Sequence, residues 1–175
     1  MILDANEFLT STKHDTEICI LGGGVAGIVI ANELAKKNVD VILLEAGDAN
    51  YTQNSQENYS PNKVSKRYPD PSYTRLRFLG GTSNHWLNST APLDPIDFEK
   101  RSWLANSGWP IKYTDIVPYY DKAGDYCGVK DGDYLPSTWL PYLDKDSALK
   151  KSEMLEFGIA KIASPPTRFF NKYED

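Results

Sequence analysis

Hydrophobic residues in the first fifty positions alternate between two short apolar runs and one helical pattern. Residues 16–21 are largely apolar and β-branched and stop at three glycines, which is typical of a buried parallel strand. Apolar side chains then recur at helical spacing over residues 25–37, and Asn38 follows as a helix stop. Residues 39–44 form a second apolar run. The order predicts a right-handed strand–helix–strand unit with parallel strands, in which Cys19 is a small buried hydrophobic residue.

The pattern weakens after residue 50. Polar residues and proline dominate residues 48–74, so the sequence predicts a long irregular loop there. Residues 114–127 fit a helix capped by Thr114 and ended by Gly128, and residues 154–162 fit a strand. Several aromatic residues favour core positions over a carbohydrate-binding surface, namely Trp103, Trp109, Tyr119 and Tyr120.

Composition narrows the class of protein. With 41% hydrophobic and 25% charged residues the chain is not disordered, and its net charge of -5 argues against nucleic acid or an anionic membrane as partner. No apolar run has the ~18–20 residues of a membrane span, and no apolar leader is visible, so we expect a cytoplasmic protein. Two cysteines and two histidines offer no metal-site spacing, and His14 fits a surface position.

A glycine motif lies between the first strand and the helix. Gly22, Gly24 and Gly27 match G-x-G-x-x-G, in which they allow a tight turn, a close approach to a pyrophosphate, and close packing of helix on strand. Backbone N–H groups at the start of the helix, around Val25 and Ala26, suit the phosphates. Glu45, followed by Ala46, ends the second strand, where a carboxylate accepts hydrogen bonds from both ribose hydroxyls and repels a 2′-phosphate. The site therefore favours FAD or NAD over NADP.

A second glycine motif follows the polar segment. Gly80 and Gly81 precede Thr82 and Ser83, and this backbone-rich loop suits a second phosphate or a flat ring. Arg75 and Arg77 add positive charge beside it.

Together these motifs resemble the N-terminal part of the glucose–methanol–choline (GMC) family of FAD-dependent oxidoreductases, closest to the branch that oxidises sugars and sugar acids. The resemblance covers most of the chain outside residues 48–74. It rests on residues 44–47 and 79–83, then on residues 93–98, 107–110, 118–120 and 164–169.

The resemblance implies roles for the two motifs. The first would bind the ADP half of FAD, and the second would lie along the pyrophosphate and isoalloxazine. His85 stands where some members carry a histidine joined covalently to the flavin 8α-methyl group. Many members lack this link, and the alternative is a histidine that only hydrogen-bonds near the flavin. Trp86 fits packing better than chemistry. The residues assigned to the cofactor are Gly22, Gly24, Val25, Ala26, Gly27, Glu45, Ala46, Arg77, Gly80, Gly81, Thr82, Ser83, Asn84 and His85.

The same resemblance also implies a domain organisation and a reaction. It implies a partial Rossmann-like FAD-binding domain with long irregular loops over residues 1–92, and the start of a substrate domain over residues 93–175. The family oxidises CH–OH groups by hydride transfer to flavin N5, with a histidine base near the C-terminus, and no histidine follows His85. We therefore expect no catalytic residue in this chain, and expect it to be inactive alone.

Two alternatives to an N-terminal part of an oxidoreductase remain open. One is a non-catalytic FAD- or ADP-binding module, either a relic or one half of a split enzyme with a separate C-terminal half. The other is a small NAD-dependent dehydrogenase, which the lack of a Tyr-x-x-x-Lys pair disfavours.

Overall fold

A computed structural model describes residues 1–8, 12–59, 69–129, 133–142 and 158–173. The chain forms two compact units, one of residues 1–86 with 168–175 and the other of residues 87–167. Within the described ranges, no helix combines the length and the apolar character needed to cross a bilayer.

The regular elements are short. The strands are β1 (Ile18–Leu21), β2 (Val41–Leu44), β3 (Ser89–Thr90) and β4 (Lys161–Ile162). The α-helices are α1 (Val25–Ala35), α2 (Gln53–Glu57), α3 (Pro71–Thr74), α4 (Tyr113–Ile116), α5 (Tyr120–Cys127), α6 (Pro136–Trp139) and α7 (Phe169–Lys172). Single 3-10 turns cover Ala5–Glu7, Gly81–Asn84, Pro95–Phe98, Val117–Tyr119 and Leu140–Tyr142.

The predicted strand–helix–strand unit is the centre of the first compact unit. β1 and β2 pair in parallel, with Ile18 beside Val41 and Leu21 beside Leu44, and α1 connects them. Asn38 ends the connection in the left-handed region at φ 57°. The α/β fold class, with a partial Rossmann-like unit, is therefore confirmed.

The prediction for Cys19 is wrong. Its side chain is exposed, and neighbouring Leu21 is 81% exposed. Among the described residues β1 has β2 as its one strand neighbour. A parallel strand is normally covered on both faces and flanked on both edges, and β1 lacks part of that cover here.

The segment of residues 48–74 is less irregular than predicted, because it contains α2 and α3. The Thr52 hydroxyl accepts a hydrogen bond from the Ser55 N–H at 3.3 Å and starts α2. The Asp70 carboxylate accepts one from the Ser72 N–H at 3.0 Å, and Pro71 occupies the first turn of α3. Residues 60–68 of this predicted loop lie outside the described residues.

Polar contacts, rather than an apolar face, attach α2 to the rest of its unit. Gln56 is 6% exposed, and its amide nitrogen donates to the carbonyl oxygens of Ser72 and Arg75 at 2.8 and 2.7 Å. Its amide oxygen accepts from the Arg77 N–H at 3.1 Å. A helix held in this way needs no hydrophobic period, so its sequence shows none.

The predicted helix over residues 114–127 is broken into three segments. It begins at Tyr113, and the capping group is the Asp115 carboxylate, which accepts from the Lys112 N–H at 2.8 Å, so Thr114 is not the cap. Around Pro118 the chain narrows to a 3-10 turn, because proline removes a helical N–H donor. Gly128, at φ 72°, ends α5 as predicted.

In the second unit β3 pairs antiparallel with β4. Of the strand predicted over residues 154–162, β4 forms the last part, whereas residues 154–157 lie outside the described residues. In the part of this unit that the structure describes, the buried hydrophobic residues are Phe98, Tyr126, Val129 and Ala163.

The core assignment of the tryptophans and of Tyr119 is wrong. Trp103 is 77% exposed, Trp109 is 56% exposed and Tyr119 is 66% exposed. Trp109 rests on the buried ring of Phe98 with a centroid separation of 5.8 Å, which covers only part of the larger ring system. Among the described residues, these large rings therefore lie at the surface.

Candidate cofactor-binding site

The two glycine motifs meet in space. The Gly80 N–H donates to the Gly23 carbonyl oxygen at 2.7 Å. A Cβ added to Gly81 would lie 3.3 Å from the Gly24 Cα, so the two turns touch through their backbones. Residues more than fifty positions apart thus form one surface, as a shared ligand requires.

A groove runs along both turns. One part has a cavity of about 350 Å³ and the next a cavity of about 410 Å³, and Gly22, Glu45 and Tyr59 line both. The first part is otherwise lined by Leu21, Leu44, Ala46 and Arg77. The second is otherwise lined by Gly24, Val25, Arg75, Leu76, Gly81, Thr82, Ser83 and Trp86.

The first turn has the shape that a diphosphate needs. Gly22 adopts φ 103°, which turns the chain sharply after β1. A Cβ on Gly24 would meet no atom within 4 Å, so open space lies where a side chain would otherwise project. The start of α1 follows directly, and the positive end of this 11-residue helix favours an anion. The residues therefore fit a dinucleotide phosphate.

Gly27 lies beneath the groove rather than in its wall. A Cβ at this position would overlap the Gly22 carbonyl oxygen, so α1 can lean on β1 only if residue 27 has no side chain. Its role is the close packing that the motif predicts.

The Glu45 carboxylate is tied to the backbone. One oxygen accepts from the Gly23 N–H at 2.7 Å, and the other from the Gly47 N–H at 2.8 Å. Each carboxylate oxygen has a second lone-pair site, so both retain capacity to accept a ribose hydroxyl. These two contacts hold the side chain in the groove where β2 ends.

The second turn carries the other predicted residues. Arg77 lines the groove, and its guanidinium donates to the Ser55 hydroxyl at 3.1 Å. Asn84 faces the turn itself and donates to the Leu79 carbonyl oxygen at 2.9 Å. His85 ends the 3-10 turn. Its side chain is exposed, and its backbone N–H donates to the Thr82 carbonyl oxygen at 3.1 Å.

The groove does not include every predicted residue. The predicted residues outside its lining are Ala26, Gly27, Gly80, Asn84 and His85. Trp86 lines the groove, and its ring meets Phe169 edge-on at 5.6 Å, which agrees with packing.

The sequence interpretation missed Tyr59, which lines both parts of the groove. It also missed Leu21 and Leu44, which give one end of the groove an apolar wall. The strand-end positions of the leucines could have indicated them. Tyr59 carried no such signal, because it follows a five-residue helix with no hydrophobic period.

Comparison with known families decides the class of protein. A family model described as FAD dependent oxidoreductase matches residues 17–104, half of the chain, and includes both glycine turns. The chain belongs to this family of FAD-dependent oxidoreductases. FAD is accordingly its cofactor.

The individual relatives of this family member are distant. It is 25% identical over 129 residues to 6'''-hydroxyparomomycin C oxidase of Streptomyces lividus, covering 67% of this chain and 24% of the relative. It is 24% identical over 142 residues to 2-methyl-1,2-propanediol dehydrogenase of Mycolicibacterium austroafricanum, covering 69% and 26%. It is 24% identical over 155 residues to the fructose dehydrogenase large subunit of Gluconobacter japonicus, covering 69% and 28%. The chain spans about a quarter of the length of these curated relatives.

Proposed function

We propose that this chain is the N-terminal, FAD-binding part of a GMC-type oxidoreductase that acts on CH–OH groups of sugars, sugar acids or alcohols. The observation that carries the proposal is the Gly80–Gly23 hydrogen bond, which joins the two glycine turns along one groove. The names of the relatives, one a propanediol dehydrogenase and one a fructose dehydrogenase subunit, support a small hydroxyl-bearing substrate.

In this proposal, different residues would bind different parts of FAD. Gly22, Gly24, Val25 and Ala26 would hold the pyrophosphate through backbone N–H groups. Glu45 and Ala46 would bind the adenosine ribose. Arg77 would balance phosphate charge. Gly81, Thr82 and Ser83 would face the flavin half. Gly80, Asn84 and His85 would belong to the same turn without lining the groove, and Gly27 would support the first turn from below.

The proposed chemistry divides between this chain and residues beyond it. Bound FAD would supply a hydride acceptor for the carbon that bears the hydroxyl group. A general base must also take the hydroxyl proton. Histidine occurs only at positions 14 and 85, so we assign no catalytic base to this chain. Residues 1–92 would begin the FAD domain and residues 93–175 the substrate domain.

A second proposal is a non-catalytic FAD- or ADP-binding module, either a relic or one half of a split enzyme. The observation behind it is the histidine content of this sequence, in which neither His14 nor His85 is assigned as a base. The two proposals share the groove and differ in whether a C-terminal polypeptide restores oxidation.

Gly24 provides the sharpest test of the groove. The Gly24→Ala variant adds a methyl group where the folded chain leaves open space, at φ -83° where alanine is unstrained. We expect thermal stability to be kept, while the Kd for FAD rises about tenfold, equivalent to ~1.4 kcal/mol of lost contact. Gly158→Ala is the matched control, because its Cβ position is equally open and lies in the second unit. Flavin absorbance and fluorescence titrations measure both variants.

The same preparations separate the alternatives. Unchanged FAD affinity in Gly24→Ala, or tight binding of NAD in place of FAD, would contradict the proposed groove. The chain alone should not oxidise sugars or alcohols with an artificial electron acceptor, and robust turnover would overturn the assignment of the base elsewhere. After acid precipitation, flavin that stays with the pellet in the parent chain and is lost in His85→Ala identifies a covalent link. Flavin released from both leaves His85 as a hydrogen-bonding neighbour.

A further inference from the structure

The second glycine turn is held from behind by a segment far away in sequence. One terminal nitrogen of the Arg168 guanidinium, Nη1, donates to the carbonyl oxygens of Ser83 and Trp86, each at 2.9 Å. The two carbonyls flank Asn84 and His85, so one side chain spans the part of the turn that follows the glycines.

Ser83 gives the same segment a second attachment. Its hydroxyl donates to the Gly80 carbonyl oxygen at 2.7 Å and accepts from the Phe169 N–H at 3.2 Å. Ser83 is 1% exposed, and Phe169, whose ring meets that of Trp86 edge-on, is 0% exposed. The buried hydroxyl therefore links the glycine end of the turn to the first residue of α7.

The turn needs such support. It is a four-residue 3-10 segment, and 3-10 hydrogen bonds are poorly aligned and hold only short stretches. Gly81, Thr82, Ser83 and Trp86 line the groove, whereas Arg168 does not. Arg168 is therefore no part of the groove lining, and its hydrogen bonds connect it to the groove through the turn.

We infer that Arg168 is a positioning residue, which fixes the second glycine turn in the form that faces the flavin half of FAD. The inference rests on the proposed function, because it takes the first turn to hold the ADP half. Arg168 therefore controls the affinity for FAD and leaves the affinity for ADP unchanged. Hydrogen bonds from a charged donor are the stronger kind, so their loss should be measurable.

The test compares Arg168→Ala with Arg168→Lys and with the control Lys13→Ala. Lys13 is exposed and pairs with the exposed Asp15, so the control removes one positive charge at the surface of the same unit. Calorimetry gives Kd values for FAD and for ADP, and hydrogen exchange reports the amides of residues 80–86 in the free chain. We expect Arg168→Ala to raise the Kd for FAD about tenfold or more and that for ADP less than about twofold. Arg168→Lys, which keeps the charge and loses the planar fork, should fall between parent and Ala.

Each result has a distinct meaning. Faster exchange at residues 80–86 in Arg168→Ala, with loss of FAD affinity alone, supports the inference. Equal loss of FAD and ADP affinity, or exchange unchanged in Arg168→Ala and Arg168→Lys, overturns it. If the parent chain binds FAD and Arg168→Ala binds it equally well, only this inference is wrong. If the parent chain binds neither nucleotide, the proposed function is wrong and the positioning role fails with it.

Discussion

The glycines of the first motif are required for different physical reasons. Gly24 faces open space, whereas Gly27 has the Gly22 carbonyl oxygen where its side chain would be. The spacing of the motif predicts both roles, since strand, turn and helix follow in register. The contact of Gly81 with Gly24 was not predictable, because it depends on where the chain returns after the polar segment.

A methyl group at position 27 should therefore act on folding. We expect Gly27→Ala to lower the free energy of unfolding by about 1–3 kcal/mol or more, the range for overpacked sites. Denaturant unfolding followed by circular dichroism measures it, with Gly158→Ala as the control. Equal stability of the two variants would mean that α1 does not approach β1 this closely.

At the scale of elements, the hydrophobic period predicts what packs by apolar contact. β1, α1 and β2 belong to that class, and the sequence locates them to within two residues at each end. Helix α2 belongs to another class, because Ser55 and Gln56 attach it through hydrogen bonds to backbone groups of residues 72–77. Such partners are distant in sequence and leave no periodic trace.

Helix α6 offers a test of a local polar contact. The Thr138 hydroxyl donates to the Asp133 carboxylate, and the Leu135 N–H also donates to it, at 2.8 Å. Both hydrogen bonds favour the charged form, and they lower the pKa of Asp133 below its ordinary 3.8.

Removal of the Thr138 hydroxyl should change the pKa of Asp133. We expect Thr138→Val to raise the pKa of Asp133 toward its ordinary value, with Ser137→Ala as a control beside it. Carbon-detected NMR titration of the carboxyl group measures the change. Since the pKa is lowered in the folded chain, the stabilising contribution is complete above pH 3.8 and disappears as pH falls through the lowered value. An unchanged pKa in Thr138→Val would contradict the assigned cause.

At the scale of the molecule, the sheet of the first unit has two strands among the described residues, and parallel sheets are usually larger and covered on both faces. The Ile18 N–H donates to the carbonyl oxygen of Asp40, the residue before β2, and the Gly22 N–H donates to that of Leu44 at the end of β2. Alternate residues of a parallel strand bond to opposite sides, so the N–H groups of Cys19 and Leu21 point away from β2.

Hydrogen exchange should distinguish the β1 amides that face β2 from those that point away from it. We expect the amides of Ile20 and Gly22 to exchange more slowly than those of Cys19 and Leu21 in the chain alone. Residue-resolved NMR exchange measures the four rates, and dilution of the sample controls for association between copies. Equal and strong protection at all four positions, unaffected by dilution, would show that the outer edge of β1 is already covered.

The attachment of Ser83 to Arg168 spans 85 positions of the chain. During synthesis on the ribosome, the first turn and its helix can form soon after residue 50 emerges, since their partners are local. The second turn obtains its guanidinium support only when residue 168 has emerged. The nascent polypeptide should therefore bind the adenine half of its ligand well before it can bind the isoalloxazine.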